Sequence, residues 1–151
     1  MKKEIKFILN GGKHSQEVRC GITLLEFLRD TLGVKSVKCG CDRGDCGTCT
    51  VMMNGRTVRS CLVLAVEIDN QEITTLEGLM RDGLTPLQKS FIGHNSFQCG
   101  FCAPGMILSA TELLSKNSRP GKKEIQEALS GNLCRCTGYI PIIEAISDHK
   151  Q

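Results

Sequence analysis

The sequence predicts an α+β chain in two unlike halves, because strand and turn signals fill the first half, helical spacing fills the second, and both carry clustered cysteines. Ile5, Phe7 and Leu9 alternate along one face of a strand, and Asn10-Gly11 is a strong hairpin signal that sends a second strand back to about Cys20. Thr23 and Glu26 form a Ser/Thr-x-x-Glu capping box. Leu24, Leu25, Leu28 and Leu32 then make a helical stripe that Gly33 can end. Residues 50–53 and 56–60 flank Asn54-Gly55, a second hairpin, and residues 72–76 read as a last short strand. Two hairpins and a helix make a small sheet domain, with a boundary near residues 77–84.

Beyond that boundary the period changes to that of helices. Thr85-Pro86-Leu87-Gln88 is a capping box with proline at the first helical position, opening a helix to about His94. A second helix is expected from Pro104 through Met106, Ile107, Ala110, Leu113 and Leu114. A polar loop at residues 117–121 precedes a third, with Ile125, Ala128 and Leu129, which stops at Gly131. A fourth carries Ile142, Ile143 and Ile146. Four short helices are enough for a small bundle.

Composition narrows the function classes. At 151 residues, neither half buries much apolar surface unaided, so something else must help hold it. The stretch MKKEIKFILNGG breaks its apolar run at Lys6 and turns by Asn10, which is not an export signal, and the longest apolar run, Cys61 to Val66, is far below a membrane span. A cytoplasmic location without membrane insertion is therefore expected, and in the reducing cytosol clustered thiols are metal ligands or redox groups more often than bridges. A net charge of +3 with interspersed signs, five Phe, one Tyr and no Trp offers no nucleic-acid platform.

Cys41-x4-Cys46-x2-Cys49, followed after eleven residues by Cys61, fits the plant-type [2Fe-2S] spacing. Three thiolates come from one curled loop and the fourth from across a hairpin, while Gly40, Gly44 and Gly47 let the backbone close on the sulfurs. Cys39 lies one residue outside this pattern and reads as a small non-ligand thiol, as does isolated Cys20. A second set, Cys99-x2-Cys102 and Cys134-x-Cys136, has each pair placed just before a helix, where unpaired amides favour thiolate. With 31 residues between the pairs, cluster and fold stabilise each other, and the metal-free domain is expected to be weakly folded. Structural zinc is the alternative occupant of either set.

The stretches GCDRGDCGTCTV (40–51), SCLVLAV (60–66), QCGFCAPGMI (98–107) and LSGNLCRCTGY (129–139) resemble the small iron-sulfur subunit of the molybdenum hydroxylases, the xanthine dehydrogenase and aldehyde oxidoreductase family. The resemblance spans nearly the whole chain. It implies an N-terminal β-grasp plant-type ferredoxin domain over residues 1–77 and a four-helix-bundle domain over 78–151, each with one [2Fe-2S] cluster. It also implies a subunit that is not catalytic alone. Electrons would pass from molybdopterin on a large subunit, through the cluster of Cys99, Cys102, Cys134 and Cys136, then that of Cys41, Cys46, Cys49 and Cys61, to FAD on a third subunit. Gln98 and Cys136 match positions expected to lie at the pterin. Cys39 departs from the pattern, since a non-cysteine residue is expected there. The chain has no Gly-x-Gly-x-x-Gly element for FAD and is too short to add a pterin domain, so it needs partners. A free-standing two-cluster ferredoxin and a zinc-stabilised interaction module are the rival readings.

Overall fold

Residues 1–149 are described by a computed structural model. Strands β1 (Lys2–Leu9) and β2 (Gly12–Arg19) pair antiparallel with Leu9 opposite Gly12. Between them Asn10 and Gly11 both take positive φ, 50° and 81°, as a tight two-residue hairpin turn requires. Strands β3 (Thr50–Met53) and β4 (Arg56–Arg59) form the second hairpin. Strand β5 (Glu72–Thr74) inserts between the hairpins, parallel to β1 and antiparallel to β3, giving the order β2-β1-β5-β3-β4. β1 turns Ile5, Phe7 and Leu9 inward, as its alternation predicts.

Helix α1 (Leu24–Glu26) starts at the Thr23–Glu26 capping box, in which Glu26 N–H donates to Thr23 Oγ1 at 3.1 Å. It then widens into a π-helical turn, Phe27–Thr31, closed by Leu32 N–H on Phe27 O at 3.0 Å. The wide turn admits an extra residue per turn, so Leu24, Leu25, Phe27 and Leu28 are all buried together. The leucine spacing predicts an ordinary helix and does not single out Phe27.

The last strand is shorter than its pattern, ending at Thr74 instead of residue 76. Thr75 is fully buried and donates its N–H to Asn10 Oδ1 at 2.8 Å, which turns the chain out of the sheet. Helix α2 (Leu76–Leu79) follows, a turn the sequence does not signal. Helices α3 (Pro86–Gly93), α4 (Ala103–Lys116), α5 (Lys122–Leu129) and α6 (Ile140–Asp148) match the four helical patterns. α3 packs on α6 and α4 on α5.

Two apolar clusters result. One joins the sheet to α1 through Ile5, Phe7, Phe27, Leu28, Val51 and Ile73. The other joins the helices through Leu87, Phe91, Met106, Ile125, Ile142 and Ile146, with Leu76 and Leu79 packed against it. α4 also faces the β3–β4 hairpin. There Gly105 comes so close that a Cβ would lie 2.5 Å from Gly47 O, which brings the two cysteine-rich regions together.

Candidate metal centres

The first sulfur group is assembled by a hairpin and a curled loop. Pairing of Thr50 with Arg59 brings the open end of the β3–β4 hairpin together, so Cys49 and Cys61, just outside it, meet with their sulfurs 3.4 Å apart. Both are buried. Two thiolates on one tetrahedral metal, each about 2.3 Å from it, sit roughly 3.8 Å apart, so the pair has the spacing of two ligands on one ion. Burial, with Cys49 alongside, pushes the Cys61 thiol up to about 12. That is the penalty for an unpaired thiolate in an apolar pocket, and a cationic metal relieves it.

Cys41 has the opposite environment. The amides of Arg43, Cys46 and Asp45 turn toward its sulfur, with Cys46 N–H at 3.3 Å, and draw its thiol down to about 7. Gly44, inside this amide nest, has a φ of 89°, and Gly47, just after it, has a φ of 74° and comes so close to the second cysteine stretch that a Cβ would lie 2.2 Å from Gly131 O. Cys46 Sγ lies 3.2 Å from Thr48 Oγ1. Cys39 is exposed, and desolvation followed by the Asp42 charge holds its thiol above the ordinary range. Cys20 follows β2, where its amide donates to Met1 O at 3.1 Å.

In the second group, Cys99 and Cys136 lie with their sulfurs 3.7 Å apart, and the free thiols of Cys102 and Cys134 are close enough to influence each other. Cys102 is the N-cap of α4, as expected from its position. The other pair departs from expectation: α6 begins at Ile140, four positions after Cys136, so the pair does not sit at the N-terminus of that helix. A tight turn replaces the helix end. Burial disfavours the Cys134 thiolate, but the Thr137 hydroxyl and the amides of Cys136 and Thr137 outweigh it and bring the thiol below its ordinary range. Burial, then Cys134 alongside, pushes the Cys102 thiol up to about 12. Gln98 is exposed and donates from Nε2 to Cys136 O at 3.2 Å, tying the two cysteine loops together.

The two groups are joined by contacts that the sequence does not announce. Leu133 N–H, beside Cys134, donates to Cys46 O at 2.9 Å. Arg59 Nη2 donates to Gly131 O at 2.6 Å and Nη1 to Thr50 Oγ1 at 2.8 Å. Asn132, buried to 2% exposure, donates from Nδ2 to Gly47 O at 3.1 Å. Tyr139, at φ 71°, donates its hydroxyl to Asn132 O at 2.9 Å and accepts Cys134 N–H at 3.0 Å. The only available signal was their place in the cysteine-bearing stretches.

Residues 7–85 match the 2Fe-2S iron-sulfur cluster binding domain family, and residues 75–147 match the [2Fe-2S] binding domain family. The nicotine 6-hydroxylase small subunit of Paenarthrobacter nicotinovorans is 48% identical over 145 residues, covering 96% of this chain and 88% of that one. The chain belongs to the small iron-sulfur subunits of the molybdenum hydroxylases. The nicotinate dehydrogenase small FeS subunit of Eubacterium barkeri is likewise 48% identical, over 96% of this chain and 93% of that one. In three dimensions the chain superposes on quinoline 2-oxidoreductase from Pseudomonas putida 86 with a TM-score of 0.94 at 42% identity, covering 97% of this chain and 91% of that one. As a small iron-sulfur subunit it carries two [2Fe-2S] binding domains and serves electron transfer within an oxidoreductase, not chemistry on the substrate.

Proposed function

We propose that Cys41, Cys46, Cys49 and Cys61 hold one [2Fe-2S] cluster, and Cys99, Cys102, Cys134 and Cys136 the other. When bound, each cluster supplies a one-electron site, and together they carry electrons from molybdopterin on a large subunit, second cluster first, to FAD on a third subunit. The observation that carries this reading is the pairing of sulfurs at 3.4 Å and 3.7 Å in two groups whose loops are joined by the Leu133–Cys46 hydrogen bond. A zinc module has no use for that junction. Sulfurs in pairs suit a two-iron centre, in which each iron takes two thiolates.

The chain's own groups prepare each site. The loop amides at Cys41 and the Thr137 hydroxyl at Cys134 stabilise negative sulfur and so favour the reduced, more negative state. Gln98 and Cys136 are the residues we place at the pterin; both are exposed, and Gln98 keeps its amide oxygen free of the Cys136 contact. Exposed apolar side chains sit beside ligands in both groups. Leu62, 65% exposed, adjoins Cys61, while Phe101 and Leu133 adjoin the second set. Such apolar surface supports docking against large partner subunits over a freely diffusing ferredoxin.

The reading divides the chain into a β-grasp ferredoxin domain, 1–77, and a four-helix-bundle domain, 78–151. The β2-β1-β5-β3-β4 order under α1 and the separate helical core support it, although Leu76 already packs against the helical apolar core. Residues 150 and 151 lie outside the described residues. No described helix is long and apolar enough to cross a membrane, and we keep a cytoplasmic location as part of the proposal.

Chemical analysis of anaerobically prepared protein should give about four iron and four acid-labile sulfide per chain, with two electron paramagnetic resonance signals after dithionite. Cys46→Ser should lose or alter only one signal, and Cys39→Ser neither. Two zinc ions and no visible absorption, or loss of a signal in the Cys39 variant, would overturn the assignment.

A further inference from the structure

The stretch between α5 and Cys134 holds a buried polar side chain that the two cluster sites do not use as a ligand. Asn132 is 2% exposed, yet both ends of its amide are satisfied. Its Nδ2 donates to Gly47 O at 3.1 Å and Thr50 Oγ1 at 3.3 Å, and its Oδ1 accepts from Ser109 Oγ at 2.9 Å. Gly47 lies between Cys46 and Cys49, and Ser109 lies on α4. The Asn132 backbone is tied the other way. Its carbonyl accepts the Tyr139 hydroxyl at 2.9 Å, and that hydroxyl accepts Cys134 N–H at 3.0 Å. One residue therefore fastens its side chain to the first cysteine loop and its backbone to the second.

We infer that Asn132 is a positioning residue that sets the separation and electronic coupling of the two cluster sites. The inference rests on the ligand assignment proposed above. A side-chain amide of this length suits the task, because the Gly47 carbonyl demands a donor while the Ser109 hydroxyl donates to the amide oxygen. Aspartate keeps the acceptor and loses the donor, placing carboxylate oxygen against carbonyl oxygen. The loops then part, and the Leu133 N–H to Cys46 O bond, which joins a ligand of the first set to the neighbour of a ligand of the second, loosens with them. The step it governs is simple: one electron leaves one cluster and enters the other, with no bond made or broken.

The test compares the assembled holoenzyme carrying the native chain, Asn132→Asp and Ser109→Ala. Three readouts serve: the magnetic interaction between the two reduced clusters by electron paramagnetic resonance, the rate of electron redistribution after pulse-radiolytic reduction, and amide hydrogen exchange at residues 46–50 and 131–134. In Asn132→Asp, full iron and sulfide content with a diminished inter-cluster splitting, faster exchange at both loops and redistribution slowed severalfold is the expected result, since electron tunnelling falls steeply as two centres move apart. Ser109→Ala should shift all three in the same direction by less. If Asn132→Asp fails to assemble, Ser109→Ala alone decides by the same readouts. Full cluster content with splitting, rate and exchange unchanged overturns the inference. Loss of one cluster with native hydrogen exchange at the loop of the other does so too, by making Asn132 a support of that cluster alone. Failure of the ligand assignment itself shows separately, as the absence of two signals in the native chain.

Discussion

Glu112 on α4 is held as a carboxylate at the junction between the sheet and the helices. Burial works against its charge, but Lys116 and the Thr57 hydroxyl and amide outweigh it and bring its pKa from 4.5 to about 2. Thr57 N–H donates to it at 2.8 Å from β4, so the charge fastens α4 to the hairpin that carries Cys61. Because the folded pKa lies below the unfolded one, its contribution is complete above about 4.5 and is lost as pH falls toward 2. Glu112→Gln should lower stability at neutral pH by about 1–3 kcal/mol and flatten the acid limb of a denaturation series. An unchanged acid limb would show that the carboxylate does not hold the junction. At this scale the sequence was most informative about cysteines and glycines, whose spacing is chemical, and silent about Glu112, Arg59 and Asn132, whose partners lie 55 to 85 residues away.

Among the elements, the hairpins and helix starts follow local rules. Asn-Gly turns accept positive φ, and the Thr85 capping box satisfies amides three residues on, so neither needs the rest of the chain. The π-helical turn at Phe27–Thr31 is different. It drops Phe27 into the core against the sheet, where its ring meets Phe7 edge-on at 5.7 Å between centroids. Phe27→Ala should therefore cost about 3–5 kcal/mol, read from urea midpoints of the native and variant chains. A cost below 1 kcal/mol would mean the turn is an ordinary surface helix end. The premature end of β5 has the same origin, since Thr75 is claimed by Asn10, 65 positions earlier.

For the molecule as a whole, two small cores lean on each other through α4 and through the stretch before Cys134. Each contains cysteines whose thiols are costly to bury unligated, Cys61 and Cys102 both lying near 12. Removing the metal therefore leaves two stressed pockets at the ends of the same junction, and binding free energy is also folding free energy. Chelation with acid under anaerobic conditions should lower the thermal midpoint by on the order of 10 °C or more and expose residues 46–50 and 131–134 together in hydrogen exchange. An apo chain that melts like the loaded one would show that the fold does not depend on its clusters.

The sequence alone determined the mixture of sheet first and helices after, most element positions and the spacing on which the proposed four-and-four grouping of eight cysteines rests. Hydrophobic period, capping and turn chemistry and ligand spacing are all written within a few residues. Tertiary structure alone decided how the parts meet: the insertion of β5 between the hairpins, the contact of Gly105 with Gly47, the start of α6 four positions beyond Cys136, and the amide of Asn132 spanning both cysteine loops. Those outcomes are pairings between distant residues, and a buried polar group's partners are fixed by which surfaces close over it, not by its neighbours in the chain.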